Sequence, residues 1–122
     1  MTTYLSAEQI LDAVDLPTED VPVPEWNGVV RVQGMSGAEL DKFQARFIDD
    51  KGSASQSRGL EMFRARIVAA CVVDADGKRL FRSEAEIKRL GDKSANALTR
   101  VVDAARRLSG MTEDDQNELT GN

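Results

Sequence analysis

Apolar residues recur at helical spacing over most of this chain and alternate with polar residues in one short stretch. The pattern therefore predicts several amphipathic helices and a small amount of strand. The first helix follows Ser6, whose side chain can cap it while Gln9 reaches back to the serine backbone. Apolar residues at 10, 11 and 14 continue the helical spacing, so we expect this helix to end near residue 13 or 14.

Two β-prone runs on either side of Asn27-Gly28 predict a hairpin. The pair tolerates the positive φ angles of a two-residue hairpin turn. Pro22 and Pro24 each remove a backbone donor, so the run before the turn is expected to be an edge strand or an extended arm. Residues 29–33 lack proline and are expected to form the better strand, with alternate valines on one face.

Trp26 stands just before the predicted turn. We expect it to cover one end of the core. The alternative is an exposed anchor for a partner, because tryptophan is over-represented at interface hot spots. The edge strand and Trp26 are therefore candidates for contact with a neighbouring subunit.

A capping box at Ser36 and Glu39 starts the next helix. Leu40, Phe43 and Phe47 then lie along one helical face, which is expected to be core. The helix is expected to end near residue 49 or 50.

Residues 50–58 contain glycine and three serines and no large apolar side chain, so they are expected to form a flexible loop. A third helix follows from about residue 58 to residue 70, with Phe63 and Ile67 on its apolar face. Residues 74–78 are rich in aspartate and glycine. They predict a turn that either joins a short hairpin or simply reverses the chain.

Another capping box, at Ser83 and Glu86, starts a short helix. Asp92 or Ser94 is expected to cap the last long helix. The residues that face one way in that helix are Leu98, Val101, Val102, Ala105 and Leu108. Residues 112–122 are expected to form an acidic tail that is partly frayed.

The chain of 122 residues is expected to be a single domain, 1–122, because it is long enough to bury a core without disulfides or metal. It is 41% hydrophobic and 30% charged, which is typical of a globular protein. The patterns together predict the α+β class, with an N-terminal short helix and a β-hairpin followed by a mainly helical bundle. No apolar run is long enough for a bilayer and no signal peptide pattern is present, so a cytoplasmic protein without a membrane partner is expected.

The chain has no histidine and one cysteine. The absence of histidine removes the commonest general base, the common nucleophile pairs and the imidazole metal ligands. Cys71 lies in an apolar run and is expected to be an inert core thiol rather than a reactive one. A calcium loop aligned on Gly77 fails, because Ser83 stands where the bidentate glutamate would have to be. The sequence therefore predicts no catalytic residue, no cofactor and no metal site, and a protein that is not an enzyme.

The charge is distributed unevenly. The net charge of −5 divides into −6 for residues 1–57, +5 for residues 58–107 and −4 for residues 108–122. An acidic head and tail around a basic middle indicate internal charge complementarity or head-to-tail self-association. A solvated surface of mixed charge is the third interpretation. Both acidic ends would repel nucleic acid, and no helix-turn-helix spacing or aromatic platform supports such a partner.

Several short segments are more informative in their order than any one of them alone. They are residues 5–11 (LSAEQIL), 15–26 (DLPTEDVPVPEW), 30–39 (VRVQGMSGAE), 66–74 (RIVAACVVD), 76–81 (DGKRLF), 90–95 (LGDKSA) and 108–114 (LSGMTED). In this order they resemble the tail assembly chaperones of siphophages that infect actinobacteria. The likeness runs from about residue 5 to residue 119, and residues 53–57 match least well.

The resemblance implies a non-enzymatic role. Such proteins keep the long, helical tape measure protein soluble during tail assembly, deliver it for polymerisation of the tail tube, and are absent from the finished virion. The resemblance also implies a location in the cytoplasm of the infected bacterial host. A chain that ends at Asn122 would be the short form, and a longer form made by ribosomal frameshifting would contact the tail tube protein.

A client-binding surface is expected on the second helix or on an exposed flank of the last helix. The candidate partner-binding residues are Trp26, Leu40, Phe43, Phe47, Val101 and Leu108. Self-association is expected from the charge blocks. The alternative function is another phage structural or morphogenesis protein, such as a head-tail connector or a tail completion protein, which would remain in the particle.

Overall fold

The computed structural model describes residues 3–45 and 62–111, in which a small antiparallel sheet packs against helices. The helices are α1 (Ala7–Asp12), α2 (Gly37–Ala45), α3 (Phe63–Cys71), α4 (Glu84–Gly91) and α5 (Ala95–Leu108), with a 3-10 turn at Pro24–Trp26. The strands are β1 (Thr18–Val23), β2 (Gly28–Gln33) and β3 (Val72–Val73). The α+β class predicted from the sequence is confirmed.

β2 is the central strand of the sheet, whose order is β1-β2-β3. β1 pairs with it antiparallel, from Thr18 opposite Gln33 to Val23 opposite Gly28. β1 is thus the edge strand that its proline predicts. The sequence indicates β3 only as one arm of a short hairpin or chain reversal, whereas the structure also pairs it with β2 and makes it the third strand.

Pro22 lies on the outer edge of β1. The Gly34 N–H donates to the Pro17 carbonyl at 2.9 Å, and hydrogen-bonded pairs alternate along the register from there. Residues 18, 20 and 22 therefore direct their backbone groups away from β2. Pro22 has no donor to offer, and Asp20 adds a charge beside it, so this edge discourages pairing with a strand of another chain.

The hairpin connection is longer than the predicted two-residue turn. Val23 and Gly28 are still paired, and the four residues between them make a 3-10 turn that ends at Asn27. Asn27 takes the left-handed conformation with φ 56°, and Gly28 takes an ordinary one. The prediction of an Asn-Gly turn is wrong because Pro24, with its fixed φ, begins a helical turn before the asparagine is reached.

The predicted capping boxes form. In each, a serine hydroxyl accepts the backbone N–H of the third helical residue, whose side chain accepts the serine backbone N–H; the pairs are Ser6 with Gln9, Ser36 with Glu39 and Ser83 with Glu86. Ser94, rather than Asp92, caps α5 by accepting the Ala97 N–H at 3.3 Å. These helix starts are fixed locally, because both partners are only three residues apart.

The core lies between one face of the sheet and the helices α3 and α5. α5 packs on β1, β2 and α3, and α3 also packs on α4. The large side chains that are fully buried are Val23, Val32, Ile67, Val68, Cys71, Val72 and Val101. Among the described residues no polar or charged residue is buried, so burial of aliphatic surface stabilises this fold.

Some predictions fall on parts of the chain outside the described residues. These are Phe47, the end of the second helix, the flexible loop at 50–58 and the acidic tail at 112–122. They stay predictions.

Candidate partner-binding surfaces

The N-terminal helix α1 carries a set of exposed apolar side chains. None of its residues is buried. The large apolar side chains in and beside it are between 56% and 100% exposed, and they are Tyr4, Leu5, Ile10, Leu11 and Val14, which we call the α1 apolar surface. The sequence predicts the helix but does not show that this stripe is left uncovered, because spacing alone cannot reveal which stripe meets the core.

Acidic residues run beside the α1 apolar surface. Glu8 and Asp12 lie about one turn apart on α1, Asp15 follows the end of the helix, and residues 3–17 contain no basic side chain. The helix is therefore amphipathic, with an apolar face and an acidic flank. This absence of bases is the sequence signal that could have identified α1 as a candidate for a basic partner.

A groove at the opposite end of the sheet is lined by Trp26, Phe81 and Leu90, and we call it the Trp26 groove. It has a volume of about 350 Å³. The 3-10 turn after β1 positions Trp26, and the chain reversal after β3 brings Phe81 to the same place. The capping box at Ser83 fixes the start of α4, the helix that carries Leu90.

The rim of the Trp26 groove is more basic than acidic. It consists of Glu86, Arg89 and Lys93. The Glu86 carboxylate accepts the backbone N–H groups of Arg82 and Ser83 at 3.1 Å and 3.2 Å, which lowers its pKa. This carboxylate is therefore held in its ionised form, and the rim of the groove carries two positive charges and one negative charge.

A second groove lies between α2, α3 and α4 and has a volume of about 460 Å³. Its apolar lining includes Phe43, Phe81 and Ile87. Its charged lining is largely paired internally, with Arg79 3.6 Å from Glu39 and Arg66 3.0 Å from Glu84. This groove is therefore the more polar of the two and the less suited to an apolar ligand.

The residues predicted to bind a partner are not gathered on one surface. Trp26 is half-buried and lines the Trp26 groove. Phe43 is 6% exposed, with its ring centroid 5.8 Å from that of Phe63, and Val101 is fully buried. The flank expected to be exposed near Val101 is thus covered, because α5 packs this side against the sheet and α3.

Leu40 and Leu108 are half-buried and pack against the core from its edge. Phe47 lies outside the described residues. Of the six predicted residues, Trp26, Leu40 and Leu108 therefore keep surface that a partner could contact, and they lie on three different elements.

The thiol and the turn carboxylate of the described residues lie in structural settings. Among residues 3–45 and 62–111 no group of three or more acids or cysteines is placed to hold a metal ion. Burial raises the pKa of the Cys71 thiol to about 11, and the Ser109 hydroxyl lies 3.9 Å away. The Asp74 carboxylate accepts the backbone N–H groups of Lys78 and Asp76, which lowers its pKa, so it stabilises the turn.

The helices of the described part of the chain are all too short or too polar to cross a membrane.

The comparison with solved structures finds a fold in common with a phage protein. The bacteriophage HK97 tail assembly chaperone superimposes with a TM-score of 0.51, at 19% sequence identity, over 79% of this chain and 94% of that chain. The chain therefore has the fold of a phage tail assembly chaperone. No protein-family model and no curated protein matches the sequence.

Proposed function

We propose that this protein is a phage tail assembly chaperone that binds the tape measure protein, keeps it soluble and assists assembly of the tail tube. The observation that carries the proposal is the shared fold with the HK97 tail assembly chaperone, which spans 94% of that chain. Family resemblance along residues 5–119 supports the same function. In this proposal the protein is not an enzyme and uses no cofactor.

The surface chemistry is consistent with a chaperone for a helical client. A client that must be held and then released requires exposed apolar area with polar surroundings and no reactive groups. The described chain offers the α1 apolar surface and the Trp26 groove. Leu40 and Leu108 could extend a client contact along the edge of the core.

Co-expression with the tape measure protein of the same phage tests this function. We expect the tape measure protein to move from the insoluble to the soluble fraction, and to co-purify with a tagged copy of this chain. Lys78→Glu, an exposed change on the turn after β3, is a control that should leave rescue unchanged. A tape measure protein that stays insoluble, with this chain folded and in excess, would overturn the proposal.

The alternative is a head-tail connector or tail completion protein, which would stay in the particle. Mass spectrometry of purified virions separates the two functions. The chaperone proposal, with the host cytoplasm as its location, requires the protein in infected-cell lysate and not in virions. A stoichiometric presence in virions would favour the alternative.

A longer form, made by frameshifting, is proposed to contact the tail tube protein through its extension. The test is a pull-down with purified tail tube protein, using the 122-residue chain beside a chain extended in the alternative frame. We expect binding by the extended form only. Equal binding by both would place the contact within the 122 residues instead.

A further inference from the structure

The groove between α2, α3 and α4 carries more positive than negative charge, and we call it the basic groove. Four cationic side chains and two carboxylates line it; they are Lys42, Arg66, Arg79, Arg82, Glu39 and Glu84. Among the described residues, neither Lys42 nor Arg82 forms an ion pair with a carboxylate. The Arg82 Nε donates to the Arg79 carbonyl at 3.3 Å, which leaves the charge of Arg82 without a counterion. The basic groove therefore keeps positive charge that its own carboxylates do not neutralise.

Apolar side chains also line the basic groove. Ala70, Phe81 and Ile87 are half-buried there, so part of their surface is open to a ligand. The volume of about 460 Å³ is large enough for several side chains of a peptide. The complementary ligand is thus a segment that carries several carboxylates and an apolar side chain, and no cation.

Residues 112–122 of this chain have that composition. They lie outside the described residues. In sequence they contain no basic residue and one large apolar side chain, Leu119. Their acidic residues are Glu113, Asp114, Asp115 and Glu118. This acidic block therefore matches the basic groove in charge and in polarity.

The structure fixes the point from which residues 112–122 start. Met111 is buried, and the nearby Ser109 hydroxyl accepts the N–H of Met35, which leads into α2. Lys42 lies seven residues after Met35, which is about 10 Å at the rise of a helix. Eleven extended residues reach about 35 Å. The basic groove is therefore within reach of this segment, and the shared chain gives the segment an effective concentration in the millimolar range.

We propose that residues 112–122 dock in the basic groove of the same copy, with their carboxylates on Lys42 and Arg82 and with Leu119 on the apolar lining. Each exposed ion pair is weak and is screened by salt. Several such pairs on one short tether nevertheless keep the groove occupied at low salt. The groove is then closed to acidic segments of other proteins, and rising salt opens it. The proposal goes beyond the proposed function and does not depend on it, because no phage partner is needed.

A nitroxide label on residue 120 tests the contact by NMR. Thr120→Cys supplies the thiol, and Cys71 does not compete for the label because it is buried. In dilute protein at low salt, we expect the backbone amide signals of Lys42 and Ile87 to lose at least half of their intensity relative to the reduced label. The amide signal of Val29, on the open face of the sheet, should keep its intensity.

Charge variants test whether the contact uses the cations of the basic groove. In the labelled chain, Lys42→Glu together with Arg82→Glu should restore the Ile87 signal. Exchange of the four acids of residues 112–122 for their amides should restore it as well, as should about 1 M salt, where the screening length is about 3 Å. Lys78→Glu is the matched control, because Lys78 is exposed on the turn after β3, and it should leave the signal loss unchanged.

A mixed sample separates a contact within one copy from a contact between copies. It contains isotope-labelled wild type and the nitroxide-labelled chain without isotope label. Because residues 112–122 dock in their own copy, we expect no loss of the Ile87 signal in the isotope-labelled chain. The amide spectrum of each variant confirms that it is folded.

Three results would overturn the proposal. Full intensity at Lys42 and Ile87 in the labelled chain at low salt would leave the groove open to an acidic segment of another protein. A signal loss that persists in the double variant of Lys42 and Arg82 would exclude pairing with these cations. A loss in the mixed sample as large as in the labelled chain would place the contact between copies.

Discussion

At the residue scale, Gly34 lies at a close packing contact between the end of β2 and the end of α5. A Cβ atom there would lie 2.4 Å from the carbonyl oxygen of Leu108 and 2.9 Å from its carbonyl carbon. Both are backbone atoms, so they cannot rotate away. The next residue, Met35, donates its N–H to the Ser109 hydroxyl at 2.9 Å, which fixes the same junction.

Gly34→Ala should lower the free energy of unfolding by about 1–3 kcal/mol, the usual cost of forcing extra atoms into a packed site. Urea unfolding followed by Trp26 fluorescence measures it. Gly37→Ala is the matched control, because a Cβ at Gly37 has nothing within 4 Å and should leave stability unchanged or slightly higher. Equal destabilisation by both changes would contradict the close contact with Leu108.

Cys71 should make stability fall at alkaline pH. Its pKa is raised from 9.0 to about 11 by burial, so the folded state keeps its proton where the unfolded state has lost it. The stability that this provides is present below pH 9 and is lost as pH rises from about 9 to 11, on the order of 2–3 kcal/mol. The measurement is urea unfolding at both pH values for wild type and Cys71→Ala, which should lose less stability over this interval.

Wild type and Cys71→Ala carry the same lysine and tyrosine side chains. The effect of their titration on the free energy of unfolding therefore cancels when the two proteins are compared. The same burial should keep the folded thiol unreactive toward a disulfide reagent at pH 8 until denaturant is added. Rapid labelling of the native protein would contradict the burial of Cys71.

At the element scale, two helices begin with the same capping chemistry and differ in what they pack against. α1 starts with Ser6 and Gln9 and buries none of its residues. α4 starts with Ser83 and Glu86, buries Leu90 and packs against α3. Capping therefore fixes where a helix begins, whereas packing decides whether that helix contributes to global stability.

Ser83→Ala should destabilise the protein by about 0.5–2 kcal/mol, because it removes a helix cap from an element that unfolds with the core. Ser6→Ala makes the same chemical change in α1 and should leave the urea midpoint of the isolated copy unchanged. Dilute protein is used, so that contacts between copies do not contribute. A loss of stability in Ser6→Ala as large as in Ser83→Ala would show that α1 packs on its own core.

At the scale of the whole molecule, part of the uneven charge found in the sequence is paired internally. Within residues 3–45 and 62–111, three ion pairs join the acidic first block to the basic middle; they are Arg79 with Glu39 at 3.6 Å, Arg100 with Glu25 at 3.1 Å and Arg107 with Glu19 at 2.9 Å. Internal charge complementarity is thus present.

The ion pair of Arg107 and Glu19 should contribute little, because both side chains are substantially exposed. A double-mutant cycle with Arg107→Ala and Glu19→Ala should give a coupling energy of about 0.2–1 kcal/mol. The coupling should shrink further in about 1 M salt, where the screening length is about 3 Å. A coupling that exceeds this range and ignores salt would contradict the weak, exposed character of the pair.

The sequence predicts local features well and partner surfaces poorly. The sequence predicts the capping boxes at Ser36 and Ser83 and the edge position of β1, because each depends on residues close together in the chain. The burial of Val101 could not be predicted in this way, since a valine is apolar both in a core and on a partner-binding surface. Only the packing of α5 shows that Val101 is covered.

The serine caps determined by themselves where α1, α2, α4 and α5 begin, and the spacing of apolar residues determined which side chains share a face. The tertiary structure alone decided which of those faces is covered. The stripe on α5 is buried and the stripe on α1 is exposed, although both have helical spacing. The reason is physical: backbone geometry fixes the direction of a side chain from its neighbours in sequence, but burial depends on which distant element is placed against it.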